Sequence, residues 1–429
     1  MALTDFTIIR RSMTARLFST VTTVITVAVA VALMLVLLSM RDAGERAFER
    51  GSGNMHLLIS RDSSPMVSVL NGVFYANAPA RPIRWDEYER LTASLPLEFA
   101  VPVQLGDSYR GMPVLATTTE FFTKFRPDPV EGWSLAEGRI FEKELEVVVG
   151  ATAARSTGLR VGDILYVTHG VGSAGAAAAH VHKEYAFTVV GVLKPTGSSH
   201  DRALFIDLNS TWILHAHDRR IAENRGPDSL APLTVADIEE PDRLITGIYV
   251  RVITREGQDA SAALPQVFSM LRADPSITAA APTDQIRRLF AIVSNIDQIF
   301  VAMAAVVMVS SGIAIMLALY NSMEQRRRQI AVLRVLGCSR PRVFGLVVTE
   351  SAILGVLGAA LGVATAYAGG LIVAAVLKER LGLVIEPSLP LEITLVVVLA
   401  TVALASAAGI IPAVMAYRTS VARSLRPIG

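Results

Sequence analysis

The sequence predicts a membrane protein with four transmembrane α-helices arranged one plus three, and a large extracytoplasmic α/β domain inserted between spans one and two. Three observations carry this reading. Of 429 residues, 52% are hydrophobic and only 18% charged, where soluble domains carry about 25% charged residues. The apolar excess gathers in four long runs. Between the first and second of these lie 257 residues of ordinary polarity, punctuated by Pro and Gly. The excess is too small for a wall-to-wall helix bundle and too large for a cytosolic enzyme. The single cysteine, Cys338, leaves no internal disulfide, so the external domain must fold on its core alone.

The first span covers residues 17–40, which hold no charge. It exceeds the ~18 residues needed to cross a bilayer. It is also longer than the h-region of about 7–15 residues of a cleaved signal, and Arg41-Asp42 follow it. A retained anchor is expected. Residues 298–323 and 393–417 are equally uncharged, and 343–377 hold only Glu350. In lipid only a helix or a closed barrel satisfies the backbone. The third run is longer than a crossing needs, so part of it is tilted or lies at an interface.

Charge sets the orientation. The N-terminal segment 1–16 has Arg10, Arg11 and Arg16 against Asp5. The loop 324–342 has Arg326, Arg327, Arg328, Arg334, Arg340 and Arg342 against Glu324. The tail 418–429 has three arginines and no acid. The loop 378–392 has two basic and three acidic residues, and 41–297 has 26 basic and 32 acidic. Both termini and the 324–342 loop are therefore expected in the cytoplasm, with 41–297 and 378–392 outside. The pI of 8.7 reflects this layout rather than nucleic-acid binding.

Within 41–297 the elements are short. Residues 85–95 read as a helix with Trp85, Tyr88, Leu91 and Leu95 on one face. Residues 101–103, 114–117, 146–149, 164–168 and 186–193 read as strands. Residues 150–157 read as a small-residue helix closing at Gly158, and 209–216 and 261–271 as helices. From Pro282 a helical pattern runs straight into span two. A helix continuous from domain to membrane is a stiff lever.

No phosphate-binding loop occurs; the chain lacks even a Gly-Lys pair. No H-E-x-x-H, C-x-x-C or G-x-S-x-G is present either. Gly170-Val-Gly172-Ser-Ala-Gly175 imitates a dinucleotide fingerprint, but the acid needed about 20 residues on is missing. It reads as a flexible loop.

The loop after span two carries more information. Glu324 to Arg328 form a cationic start, Ile330 and Leu333 an apolar second half, and Gly337 a helix stop. Ser339 then caps a new helix with Pro341 in its first turn. A short separate helix along the membrane face is expected, placed to contact a soluble partner. These residues resemble the FtsX-like / MacB-type permease family of ABC transporters, whose pattern R-x-x-E-I-x-x-L-R-x-x-G is matched by Arg326, Ile330, Leu333, Arg334 and Gly337. Gln329 departs from the acidic position. Glu350 with Gly355, Gly358 and Gly362 resembles the glycine-rich span that follows. Ile411-Pro412-Ala413 and Leu425-Arg426-Pro427 resemble the family's ending. Gly138-Arg139, residues 147–150, Gly158, Gly162-Asp163 and 189–194 resemble its periplasmic core domain.

The resemblance implies a permease subunit of the bacterial inner membrane. It implies a cytoplasmic ABC ATPase subunit that binds ATP and Mg, and a second permease subunit in a homo- or heterodimer. Membrane lipids and a periplasmic partner complete the expected contacts. The coupling helix would be 324–336, with Glu324, Arg326, Arg327, Arg328, Ile330, Leu333, Arg334, Gly337 and Arg340 facing the ATPase. The external domain would divide into a porter-like part (41–105 and 240–297) and an inserted β-rich part (106–239). Motion would pass from ATPase to external domain by mechanotransmission. The alternative is a non-transporting scaffold that activates an external cell-wall hydrolase. Missing catalytic motifs argue against a membrane-anchored enzyme.

Three further features stand out. Glu350, a lone intramembrane carboxylate, needs a partner, and Arg342 lies eight residues away. Gly355, Gly358 and Gly362 suit close helix packing, and Pro412 a kink in span four. All seven histidines lie in the external segment. His169, His180, His182 and His200, with Glu184 and Asp201 nearby, form a candidate divalent-metal site for an ion such as zinc. The alternative is a solvated loop. His215 and His217 are two apart on a helix and diverge, so they fall outside that set.

Overall fold

The computed structural model describes residues 5–79, 81–127, 132–170, 181–223, 231–255, 258, 260–381 and 389–418. Of these, 40–49, 292–297, 324–329 and 377–381 are described by their backbone alone. The chain divides into two compact units. A helical unit holds Met1–Ala43, Val293–Val376 and Glu386–Gly429, and an α/β unit holds Gly44–Ile292 with Leu377–Ile385.

The helical unit begins with the amphipathic α1 (Asp5–Thr14) and continues into α2 (Leu17–Ser52). Its other helices are α9 (Pro282–Val335), α10 (Arg340–Leu381), α11 (Leu391–Ala408) and α12 (Ile410–Arg418). Four segments are long and apolar enough to cross a bilayer: Leu17–Ser39, Gln298–Met323, Arg340–Val376 and Leu391–Arg418. They share one core, with Val31 and Leu35 of α2, Ile315 and Leu319 of α9, Leu354 of α10 and Val397 of α11 all buried. The outer faces expose large apolar side chains such as Val306, Val396 and Leu399, as lipid contact requires.

The α/β unit is built on one mixed sheet. Its strands are β1 (Leu57–Ser60), β3 (Leu97–Tyr109), β4 (Met112–Thr117), β5 (Leu135–Gly138), β6 (Glu146–Val149), β9 (Phe187–Leu193), β10 (Leu204–Asp207), β12 (Gly247–Val252) and β13 (Thr278–Ala280). They lie in the order β13-β1-β12-β3-β4-β10-β6-β9-β5. Neighbours are antiparallel except β4 with β10 and β6 with β9. The outer segments of the domain supply one half of this sheet and the inserted segment the other, with no break between them. A two-residue ladder joins β2 (Ile83–Arg84) to β11 (Leu244–Ile245). Residues 164–168 are not one strand. They divide into β7 (Ile164–Leu165), which pairs with β9, and β8 (Thr168–His169), which pairs with β3.

Side chains alternate between two cores, as strand geometry dictates. Leu57, Val147, Val149, Leu204, Ile206 and Ile248 enter one core; Leu58, Val148, Phe205 and Tyr249 enter the other. Burial on both faces explains near-continuous apolar runs such as 146–149. The first core is covered by α4 (Trp85–Ala93), α7 (Leu208–Ala222) and α8 (Leu264–Ala273). The second is covered by α3 (Pro65–Gly72) and α5 (Glu120–Thr123). The helix α6 (Ala151–Thr157) stops where expected. Gly158 takes φ +79°, and its N–H bonds to the Ala154 carbonyl at 2.9 Å.

The region 324–336 departs from the expectation of a separate short helix. α9 is one helix of 54 residues. Its charged stretch ends the hydrophobic run but not the helix, because Glu, Gln and Arg are good helix formers. Its first turns bury Ile286 in the second core of the α/β unit, with Phe290 beside it.

Candidate functional site

Two polar constellations among the described residues bear on function, one in each unit. In the helical unit, α9 ends in a Schellman turn. Gly337 takes φ +96°, Cys338 N–H bonds to the Leu333 carbonyl (3.0 Å), and Gly337 N–H bonds to that of Arg334 (3.1 Å). α10 follows at once, its first helical bond running from Val343 N–H to the Ser339 carbonyl. Of the expected partner-facing residues, Ile330 turns inward. It is 7% exposed and packs with Val343, Val347, Ala413 and Ala416. Leu333 and Arg334 are half-buried, whereas Gly337 and Arg340 are exposed. Arg340 sits over the Tyr417 ring. The side chains of Glu324, Arg326, Arg327 and Arg328 lie outside the described residues. The apolar surface beside the turn comes instead from Val335 and Leu336, the latter 77% exposed. Their position outside the family pattern hid them.

Glu350 is 3% exposed. It accepts hydrogen bonds from Ser12 Oγ and from the Arg16 guanidinium, each at 2.7 Å, and Arg16 also donates to Ser12 at 3.0 Å. Arg342, the partner suggested by sequence proximity, bonds Asp5 at 2.6 Å. Two ion pairs therefore tie α1 and the turn between α1 and α2 to α10. A cleft of about 400 Å³ opens beside them, lined by Ile8, Ser12, Arg16, Leu333, Leu346 and Glu350.

The glycines of α10 lie at helix crossings. A Cβ on Gly355 would meet Ala405 of α11 at 2.6 Å, and one on Gly358 would meet Val27 of α2 at 2.5 Å. One on Gly362 would meet Val31 at 2.6 Å and the Ala28 carbonyl at 2.8 Å. Pro412 interrupts span four. α11 ends at Ala408, the residue four before the proline, whose carbonyl a proline cannot bond.

In the α/β unit the histidines separate. His169 ends β8, directly opposite Asp107 of β3, beside a register shift between Leu105 and Asp107. His182 follows on the next stretch, held by its N–H on the Val167 carbonyl at 3.1 Å. Asp218 and His215 lie three apart on one face of α7, a helix whose N-cap Asp207 accepts from Asn209 N–H at 2.9 Å. As imidazolium, His169 donates Nδ1–H to Asp107 (2.7 Å) and Nε2–H to Asp218 (2.5 Å). These bonds push its pKa up to about 10. His182 Nε2 lies 2.9 Å from His169 Nε2 and 3.8 Å from Asp218 Oδ2. His215 stacks on His169 with ring centroids 6.0 Å apart, and burial lowers its pKa.

This grouping revises the candidate metal set. His169 and His182 meet. His180 lies outside the described residues. Glu184 is exposed. His200 is elsewhere, fully buried in the aromatic core among Phe121, Phe125 and Trp133. It accepts from Tyr75 O–H at 2.5 Å and donates Nε2–H to the Gly51 carbonyl at 3.0 Å, and burial pushes its pKa down to about 4. Asp107 and Asp218 were missed, and His215, set aside because it diverges from His217, stacks on His169. The one legible signal was the i, i+3 spacing of His215 and Asp218 on a helix.

Residues 20–267 match the family model described as MacB-like periplasmic core domain. Residues 301–421 match that described as FtsX-like permease C-terminal. Among solved structures, the extracellular domain of a noncanonic ABC-type transporter, YknZ, from Gram-positive bacteria covers 52% of this chain and 98% of its own. Its identity is 8% and its TM-score 0.28, too remote to carry an argument. No curated protein matches.

Proposed function

The chain belongs to the MacB/FtsX-type family of ABC transporter permeases, and from that premise we propose that it couples ATP hydrolysis by a separate ATPase subunit to motion of its external domain. The observation that carries this is the continuity of α9. One helix of 54 residues buries Ile286 in the core of the α/β unit, contributes Ile315 and Leu319 to the bundle and ends at the Gly337 turn. A helix transmits push and rotation along its axis because its hydrogen bonds run the same way.

In this reading both termini and the Gly337 turn face the cytoplasm of a bacterial inner membrane, as the arginine distribution favours. The ATPase docks on the exposed Val335, Leu336, Gly337 and Arg340. A second permease subunit completes the transporter, and ATP and Mg bind to the ATPase. The permease itself catalyses no reaction. Its own residues fix geometry: Ile330 seats the end of α9 in the bundle, and Gly337 turns the chain sharply into α10.

The test is co-purification with the ATPase. Leu336→Asp places a charge on a side chain that is 77% exposed, so membrane insertion and folding should be kept. Loss of the ATPase from the purified complex supports the docking surface. Undiminished association refutes it.

A further inference from the structure

We propose that His169, His182 and Asp218 form a binding site for one divalent first-row transition metal of the zinc class, with Asp107 orienting His169. The three ligand atoms are His169 Nε2, His182 Nε2 and Asp218 Oδ2, separated by 2.5, 2.9 and 3.8 Å. Zinc bonds of ~2.0–2.1 Å in a tetrahedron place ligand atoms about 3.3 Å apart. The observed separations bracket that edge, so one ion can reach all three with small side-chain adjustments. The set lies within the α/β unit and comes from two rigid supports, β8 and α7, plus the segment that carries His182.

The surroundings are those of a metal centre rather than of a surface ion pair. Asp107 is 3% exposed and bonds His169 Nδ1 at 2.7 Å. Holding the proton on Nδ1 leaves Nε2 as the nitrogen with a lone pair, the carboxylate–histidine–metal arrangement that fixes tautomer and ring direction. His182 is fully buried, so its ring is fixed before any ion arrives. His169 and Asp218 are about one-third exposed, which gives the ion a route in and leaves a fourth position for water.

The donor set selects the ion. Two imidazoles and one carboxylate suit Zn²⁺ and its first-row neighbours. Mg²⁺ and Ca²⁺ favour all-oxygen sites, and Cu(I) favours the sulfur ligands that this cluster lacks. Binding exchanges the His169 Nε2 proton for the metal and releases that proton to solvent. No other bond changes. The metal then cross-links α7 to β8, and through β8 to the central strand β3. His215 belongs to a second grouping, with Asp107 and His169, and its ring stacks on that of His169. An ion bound by that grouping would use His215 and leave His182 aside.

The experiment uses the full chain in detergent, purified through a tag free of histidine and stripped with chelator. Zinc chloride is titrated by calorimetry, and Co²⁺ is added separately to read its visible ligand-field band. One ion per chain at micromolar affinity or better is expected, with a tetrahedral Co²⁺ spectrum. Asp218→Asn, close in shape to the original, should weaken binding by ~100-fold or more, as should His182→Ala. Asp107→Asn should weaken it by about 10–100-fold, the usual range for a residue that orients a ligand. His215→Ala and His200→Asn should leave it unchanged, and thermal melts of each variant confirm folding. Millimolar binding, or binding that survives both Asp218→Asn and His182→Ala, overturns the site. Loss of binding in His215→Ala with retention in His182→Ala moves the ion to the second grouping and equally overturns it.

Discussion

Arg16 and Glu350, 334 residues apart in sequence, meet at 2.7 Å inside the helical unit. Their ion pair, bridged by Ser12, closes the seam between the N-terminal helices and α10 at the end where α9 turns. Breaking a buried pair by removing one member leaves an uncompensated charge and costs roughly 3–5 kcal/mol. Arg16→Leu should therefore sharply lower the thermal midpoint of the purified chain. Glu350→Gln should cost less, because its amide oxygen still accepts from Ser12 and Arg16. Arg16→Leu combined with Glu350→Leu should recover much of the loss. Equal midpoints for Arg16→Leu and the wild type would show that the pair contributes nothing.

The crossings at Gly358 and Gly362 predict a graded series. Gly362→Ala must displace Val31 and the Ala28 backbone, whereas a Cβ at Gly369 meets only Val36 at 3.9 Å. Overpacking of this kind costs about 1–3 kcal/mol. Gly358→Ala and Gly362→Ala should destabilise the chain while Gly369→Ala stays neutral. A thermal series that ranks Gly369→Ala worst would contradict the packing.

His200 predicts a pH dependence. Its folded pKa is lowered to about 4 by burial, against about 6.5 when unfolded. Above pH 6.5 the imidazole is neutral in both states and its contribution to stability is fully present. As pH falls from 6.5 to 4 the unfolded chain takes up a proton that the folded chain refuses, so stability declines by about 3 kcal/mol and then levels off. The titratable neighbours Tyr75 and Tyr249 are both pushed upward by burial and stay neutral throughout. His169 acts in a separate window. Raised to about 10, its contribution is complete below 6.5 and is lost toward 10. Unfolding followed through Trp133, whose ring lies 5.9 Å from His200, should show the acid slope in wild type and a flatter one in His200→Gln. Identical slopes would assign the effect to another group.

The sequence made the spans legible because lipid demands long uncharged helices, and charge marks their ends. It made 146–158 legible because β-branched residues, small residues and Gly158 each favour the local structure adopted. It misread 324–336, where a run of arginines ends hydrophobicity without ending helix propensity. His200 falls outside the candidate metal set for a different reason. His200 looks like its neighbours in sequence, yet its shell is assembled from Tyr75, Phe121, Trp133 and Tyr249, far apart along the chain. Asp107 and Asp218 reach His169 only through the pairing of β3 with β8 and the facing of α7, and neither can be read from local spacing.

If α9 carries motion between the two sides, a distance across it must respond to ATP. With Cys338→Ser removing the native thiol, spin labels at Met270→Cys and Val306→Cys, both exposed, report the external domain against the bundle in the complex with its ATPase. ATP should change this distance. Three glycines inserted after Ala291 should abolish the change while ATP hydrolysis continues. A full ATP-driven change with the helix interrupted would show that motion reaches the domain by a route other than α9.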